Sequence, residues 1–433
     1  MLRRFPEWTA DGDRTELLRH ARRLDSTLNA FVQFREAGAP PRGPLNGLPY
    51  AAKDIFAAPD RQPSCGLAQP LVMTDCNYAD VLRLLDEAGG ERIGYTHLTE
   101  IAYEPSGYNA VHGRVRNPWN FDFVSGGSSS GSAAAVASGA AVIALGSDTG
   151  GSLRIPAHAC GVTAWKPTHG AVSMRGAMPL APTLDTIGLL ARGAAEMMPA
   201  AGVLADLRAD MTVRSAVVLS DALHSAHPSI QTACRNGIDA IASCGVMLAR
   251  REGLAAIEAA DEAVFTIMQG EAARCHRDLL HAETIGSMLR RRLAKGLEID
   301  DATLAHAVAQ RPAHGDAFLS QALQSDDVAI LPVMTIRTPS AAECDPGDAA
   351  FRPRTLYELS RLTRFVNMLG FPAVALPVGF DDRGLPVALQ IVGRHGSDRA
   401  LLALAAAVQR RIDWHGRVPD AIALVVPQDG AEK

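Results

Sequence analysis

Two glycine loops that carry serines, and one lysine at the end of an apolar run, hold the chemical potential of this chain. The first loop reads Gly126-Gly127-Ser128-Ser129-Ser130-Gly131-Ser132, and the second reads Asp148-Thr149-Gly150-Gly151-Ser152-Leu153-Arg154. Upstream, Gly47-Leu48-Pro49-Tyr50-Ala51-Ala52-Lys53-Asp54 ends an apolar stretch on the lysine. Cleaving an amide takes a hydroxyl nucleophile, a group that relays its proton and a base that accepts it. Two hydroxyls and an amine supply those parts. An unperturbed lysine, with a pKa near 10.4, is neutral in only about one molecule per two thousand at pH 7. Burial disfavours the ammonium, and the run Leu48 to Ala52 is apolar enough to bury Lys53.

Each element also has a plainer reading. A Gly-Ser run is a flexible loop in many chains, and a lysine after a strand is ordinarily a solvated charge. The first loop lacks the Lys-Ser/Thr pair of a phosphate-binding loop. Gly127-Ser128-Ser129-Ser130-Gly131 does fit the G-x-S-x-G nucleophile elbow. That alternative makes Ser129 the nucleophile and needs a downstream acid and histidine, for which Asp381 or Asp382 with His395 or His415 are the candidates.

Positioning these groups requires α/β architecture. Residues 14–36 read as an amphipathic helix leading into Leu28-Asn29-Ala30-Phe31-Val32, and Pro and Gly cluster at 38–49 before a strand that ends near Lys53. Ala79 to Ala88 reads as a helix stopped by Gly89-Gly90, and Arg92 to Thr96 as a strand. Ser132 to Gly139 is nearly all Ala, Val and Ser, a composition that lets a helix lie close on a sheet. Ala140 to Leu145 follows as a buried strand, so both serine loops fall at junctions of helix and strand, where α/β proteins gather their sites. Further on, Val213 to Leu219, Cys244 to Leu248 and Val328 to Val333 read as strands, and 228–243 as a helix. Long helical stretches occupy about 254–325. The alternation runs from end to end without linker or repeat, which favours a single α/β domain over residues 1–433.

Composition narrows the class. The 42 Lys and Arg against 47 Asp and Glu leave a net charge of −5, without the basic excess of a nucleic-acid surface. The dense basic spot, Arg290-Arg291-Arg292, reads as a solvated helix face. Seven scattered cysteines with no CxxC spacing argue for a reduced compartment, without a disulfide frame or a zinc knuckle. Residues 1–8 have no apolar stretch behind their basic pair, and no apolar run is long enough to span a bilayer. The expectation is a cytoplasmic chain that needs no metal or cofactor, acts on a small-molecule amide and engages neither nucleic acid nor membrane. A homodimer stays open.

The order Lys53, Ser128, Ser152 resembles the amidase signature family. The likeness is carried by GLPYAAKD at 47–54, SGGSSSGSAAAVASG at 125–139 and LGSDTGGSLRIPAHACGVTAWKPT at 145–168. It continues through Leu184-Asp185-Thr186-Ile187-Gly188 and Arg192, and resumes at Asn367-Met368-Leu369-Gly370-Phe371-Pro372-Ala373-Val374 and Gly384-Leu385-Pro386. Residues 28–195 and 326–410 share it, while 200–325 follow only its general rhythm.

The resemblance implies an α/β/α sandwich: a mixed, largely parallel central sheet with helices on both faces. The catalytic core would span about 45–195 plus 326–410, with a variable substrate region at about 200–325. It further implies Ser152 as nucleophile, Ser128 as relay on a cis peptide after Gly127, and Lys53 as base. Backbone N–H groups of Thr149, Gly150, Gly151 and Ser152 would hold the oxyanion. Ser129, Asp148 and Arg154 would support the loops, the last two as a brace. Tyr103, Gly126 and Gly127 would border the substrate pocket.

Some segments depart from the family pattern. Tyr95-Thr96-His97 stands where Lys-Thr-Asn is usual, Val387-Ala388-Leu389-Gln390 follows Gly-Leu-Pro, and the lead-in to Lys53 is short. These touch the pocket and quaternary contacts rather than the three reacting groups. The expected reaction is hydrolysis of a linear carboxamide to acid plus ammonia or amine through an acyl-enzyme. Two other readings stand beside it. One is the ammonia-producing subunit of a glutamine-dependent amidotransferase, which works with partner chains on charged tRNA. The other is a catalytically silent scaffold of the same fold.

Overall fold

The computed structural model describes residues 14–36, 42–73, 76–207, 211–412, 417–419 and 422. The N-terminal basic pair, part of the 38–49 loop and His415 lie outside the described residues. Eleven strands are formed: β1 Phe31–Phe34, β2 Pro49–Lys53, β3 Glu91–Thr96, β4 Ile143–Asp148, β5 Thr163–Lys166, β6 Thr186–Ala191, β7 Ser215–Leu219, β8 Met247–Arg251, β9 Val328–Pro332, β10 Ala373–Phe380 and β11 Pro386–Gly393. They make one sheet in the order β1-β3-β2-β4-β6-β5-β10-β11-β9-β7-β8.

The sheet is mixed, but its centre corrects the expectation of largely parallel pairing. Parallel ladders occur where β2 meets β3 and β4, and where β7 meets β8 and β9. From β4 through β6, β5, β10 and β11 to β9, every pairing is antiparallel. Two features of the chain cause this. β6 inserts between β4 and β5 and runs against both. β10 and β11 form a hairpin whose tight turn takes Gly384 to φ +77°, and a short link can only reverse the chain.

Both faces of the sheet are covered, as alternating side chains dictate. Tyr50, Ala52, Ile143, Leu145, Val374 and Leu376 enter one core, which also holds Val81, Leu85, Ile230 and Leu401 from helices. Ala51, Ala144 and Ala375 enter the opposite core together with Ala133, Ala134 and Val136 of the helix Ser130–Ala137. With only methyl groups on the sheet and mostly methyl groups on the helix, the two backbones approach closely. That closeness delivers the first serine loop to the end of β2.

Several boundaries differ from expectation. The first helix stops at Leu28, and Phe31–Phe34 pairs with β3 rather than continuing a helix. The helical stretch at 254–325 is broken into short pieces, among them Asp261–Cys275 and Ser287–Gly296, which pack on one another. β7 and β8, from the stretch that carries no motifs, extend the sheet at one end.

Candidate active site

Lys53 is the last residue of β2, a strand flanked on both sides by parallel neighbours. Its side chain is fully buried. Its Nζ donates to Ser128 Oγ at 2.7 Å and to Ser147 Oγ on β4 at 2.8 Å. Burial lowers its pKa to about 7, against the opposing pull of the Asp148 and Asp185 carboxylates. Sequence reasoning does not nominate Ser147. Its only signal there is a polar residue at the end of an apolar strand.

Ser128 follows a cis peptide bond after Gly127 and precedes the helix Ser130–Ala137. Gly126 and Gly127 do not border the pocket, contrary to expectation. A Cβ on Gly126 would lie 2.8 Å from Pro156 Cα, and one on Gly127 would lie 2.7 Å from the Glu104 carbonyl. Both glycines let main chains meet, and Gly126 also takes φ +72°. Ser129 is fully buried, and its Oγ donates to the Ser147 carbonyl at 3.1 Å and accepts the Ser147 N–H at 3.3 Å. No described histidine bonds it, and His395 packs edge-on against Phe371 instead. The elbow geometry is therefore not assembled at Ser129.

The second loop is shaped by Asp148. Its carboxylate accepts the N–H of Gly151 at 2.8 Å and of Leu153 at 3.1 Å, and pairs with Arg154 through Nη2 at 2.9 Å and Nε at 3.1 Å. Burial opposes this carboxylate, yet the Arg154 guanidinium and its hydrogen bonds hold the pKa down at about 2. Arg154 also donates to Gln390 Oε1 at 2.9 Å and Asn367 Oδ1 at 2.7 Å. Sequence alone does not connect these two partners to the site, because more than two hundred positions separate them from Arg154 along the chain.

The Gly151 N–H, expected in an oxyanion hole, is already spent on Asp148. Thr149, Gly150 and Ser152 line the pocket, and no described residue accepts their N–H groups. Thr149 is anchored behind by its Oγ1, which donates to Asp185 Oδ1 at 2.6 Å. Burial pushes the Asp185 carboxyl up to about 7, against the Thr149 hydroxyl and the N–H groups of Leu180 and Ala181.

Ser152 is half-buried and opens into a cavity of about 810 Å³, solvent at its mouth included. Tyr103, Leu180, Phe265, Met268 and Leu356 supply apolar wall. Ser152 Oγ makes no hydrogen bond to a described residue, while its carbonyl accepts the Ser129 N–H at 3.2 Å. The structure thus joins Lys53 to Ser128 directly, sets the Ser152 main chain against Ser129 and leaves Ser152 lining the pocket. Among the described residues no group of three or more His, Cys, Asp or Glu is placed to hold a metal ion, and no helix is long and apolar enough to cross a membrane.

A mixed α/β sandwich with a buried lysine, paired serine loops and a pocket open at its mouth defines a hydrolase-like site. The family model described as Amidase matches residues 15–402. The chain belongs to the amidase, or amidase-signature, family. It is 30% identical to the A subunit of glutamyl-tRNA(Gln) amidotransferase from Synechococcus sp. (strain CC9605), covering 93% of this chain and 94% of that protein. A crystal structure of an amidase superposes with a TM-score of 0.85 at 29% identity, over 95% of this chain and 100% of that one. The A subunit of glutamyl-tRNA(Gln) amidotransferase from Thermotoga maritima superposes with a TM-score of 0.80 at 25% identity, over 94% of each chain.

These relatives correct the expectation of a chain that has nothing to do with nucleic acid. Proteins similar to it over nearly their whole length are named as one subunit type of an enzyme that acts on a tRNA. Net charge argues the other way. Charge is a weak guide here, because a protein that meets nucleic acid through an assembly need not itself be basic.

Proposed function

We propose that this chain breaks the C–N bond of a linear carboxamide, with Ser152 as nucleophile, Ser128 as proton relay and Lys53 as base. The observation that carries this reading is the buried Lys53 amine, held near pKa 7 and 2.7 Å from Ser128 Oγ, beside the loop from which Ser152 faces the cavity. Neutral Lys53 takes the Ser128 proton as Ser128 takes that of Ser152, once substrate turns Ser152 Oγ towards the relay. Ser152 attacks the carbonyl, and the N–H groups of Thr149, Gly150 and Ser152 meet the oxyanion. Ser128 returns a proton to the departing nitrogen, leaving an acyl-enzyme that water cleaves by the same route. Seven unpaired cysteines support a reduced compartment, and so the cytoplasm.

The relatives favour one setting for this reaction, the ammonia-producing subunit of a glutamine-dependent amidotransferase, over the free-standing amidase that the sequence puts first. The free-standing enzyme keeps support from the amidase structure that superposes over its full length. Mass spectrometry after fluorophosphonate treatment tests the chemistry. The expected result is one adduct on Ser152, lost in Ser152→Ala and slowed in Lys53→Ala, whereas an adduct on Ser129 would sink the mechanism. Turnover of glutamine and simple amides by the purified chain alone then separates the settings. Brisk activity without partners favours the free-standing enzyme, and Ser152 labelling without turnover favours the partner-dependent one.

A further inference from the structure

The turn that follows the base carries an arginine for which the bond-breaking step has no direct use. Asp54 follows Lys53 along the chain, and its side chain is fully buried. Arg61 donates to it twice, from Nη1 to Oδ1 at 2.6 Å and from Nη2 to Oδ2 at 3.1 Å. Ser64 adds its N–H at 3.0 Å and its hydroxyl at 2.5 Å. A buried carboxylate persists only where a cation and donors meet it. Among the described residues, Arg61 is the one cation that pairs with Asp54.

Two features aim Arg61 at that carboxylate. Backbone hydrogen bonds between Ala58 and Arg61, at 3.1 and 3.3 Å, close a tight turn over Pro59-Asp60. The Arg61 guanidinium then lies over the Tyr95 ring, 4.2 Å from its centre. Tyr95 stands where a lysine is usual. Expected to touch the pocket or a quaternary contact, this departure lies instead inside the sheet, fully buried and away from the Ser152 cavity. β3 pairs Tyr95 with Ala52 and Thr96 with Lys53. Alternation sends Tyr95 and Ala52 into one core and turns Lys53 to the other side. A cation absent at position 95 is thus present from position 61, behind the strand end that carries the base.

A charge beside Lys53 matters because the amine is a base only when neutral. Asp148 and Asp185 already favour its ammonium. An uncancelled Asp54, one residue away, would be a third carboxylate doing so. Cys65 and His97 are the other titratable groups that face Asp54, while Asp60, Arg35 and Arg92 face Tyr95. Arg92 is committed to Asp86 at 3.1 Å. We propose that Arg61, seated on the Tyr95 ring, is a positioning residue that cancels the Asp54 charge and so leaves the neighbouring Lys53 free to act as a base. This rests on Lys53 being the base for Ser152. The test follows the rate at which a neutral alkyl fluorophosphonate labels Ser152 as pH is varied, with far-UV circular dichroism as the check on folding. It is run in wild type, Arg61→Met, Arg61→Lys, Asp54→Asn and the double variant Asp54→Asn/Arg61→Met.

In wild type the rate rises with pH through about 7. Arg61→Met leaves a negative charge that favours the ammonium, so the midpoint moves up by about one unit. Asp54→Asn leaves a positive charge that opposes it, so the midpoint moves down by about as much. The double variant removes both charges and returns the midpoint to that of wild type, and Arg61→Lys stays close to it. Where Arg61→Met alone does not fold, the downward shift in Asp54→Asn and its reversal in the double variant carry the test. Slower labelling at an unmoved midpoint in the single variants makes Arg61 a structural brace only and overturns the proposal. Midpoints that move the same way in both, or a double variant that does not return, also overturn it. In each of these cases the reaction at Ser152 still stands. Failure to label Ser152, or a pH limb that survives in Lys53→Ala, overturns the reaction, and the role of Arg61 with it.

Discussion

The Lys53 ammonium loses its water on every side, and two serine hydroxyls are all that replace it. Its pKa near 7 follows from that loss, moderated by Asp148 and Asp185. If neutral Lys53 is the base, kcat/KM rises with pH through about 7 and falls about ten-fold per unit below it. Of the two carboxylates, Asp148 stays ionised against Arg154, while Asp185 titrates near 7, so the limb reports a coupled pair. Asp185→Asn removes a negative charge that favours the ammonium, and the limb then moves to lower pH even as loss of one of the two acceptor oxygens that serve Thr149, Leu180 and Ala181 slows turnover. A pH–rate profile that keeps its midpoint, or moves upward, would disprove the coupling. In the sequence the lysine and both serines can be read, because residue type and order are enough to nominate them. The roles of Ser147 and Asp185 cannot, because each matters only through what it faces across the sheet.

The loop from Asp148 to Arg154 is where an element decides whether those groups meet. Gly151 holds φ +134°, and a Cβ there would lie 2.3 Å from Thr363 Oγ1 and 2.8 Å from Ile155 Cδ1. Thr363 cannot yield freely, since the same Oγ1 donates to the Gly150 carbonyl at 2.7 Å. Gly151→Ala therefore shifts the loop, and turnover should drop by about a hundred-fold or more while the fold persists. Amide hydrolysis rates beside far-UV circular dichroism check this, and near-normal activity would refute it. The same element shows where sequence patterning fails. In sequence β4 reads as Ala140 to Leu145, but the strand runs Ile143–Asp148. Its last two residues are polar, and they belong inside because Lys53 and Arg154 satisfy them. β8 lies three positions later than its apolar run suggests, because an edge strand with mixed exposure shows little alternation. The helix at 228–243 matches its sequence pattern to the residue, marked by Pro228 at its first turn.

Across the whole molecule, Arg154 ties β4 to β11 and to the helix Arg364–Leu369, with no solvent access for itself or Asp148. Arg154→Met would leave the Asp148 carboxylate buried without its cation, a loss of about 3–5 kcal/mol. Urea unfolding measures it, and a midpoint like that of the wild type would show the brace to be dispensable. The β10–β11 hairpin thus supports the serine loop from the far end of the chain. By itself the sequence determined the α/β class, the two serine loops, the lysine and the family they resemble, because these rest on residue type, order and local periodicity. Only the tertiary structure decided that the sheet centre runs antiparallel, that Gly151 gives its N–H to Asp148, and that Arg61 is seated on the Tyr95 ring. Those outcomes depend on which separate segments share a strand edge, a hydrogen bond or a packed ring, and no local pattern along the chain encodes such pairings.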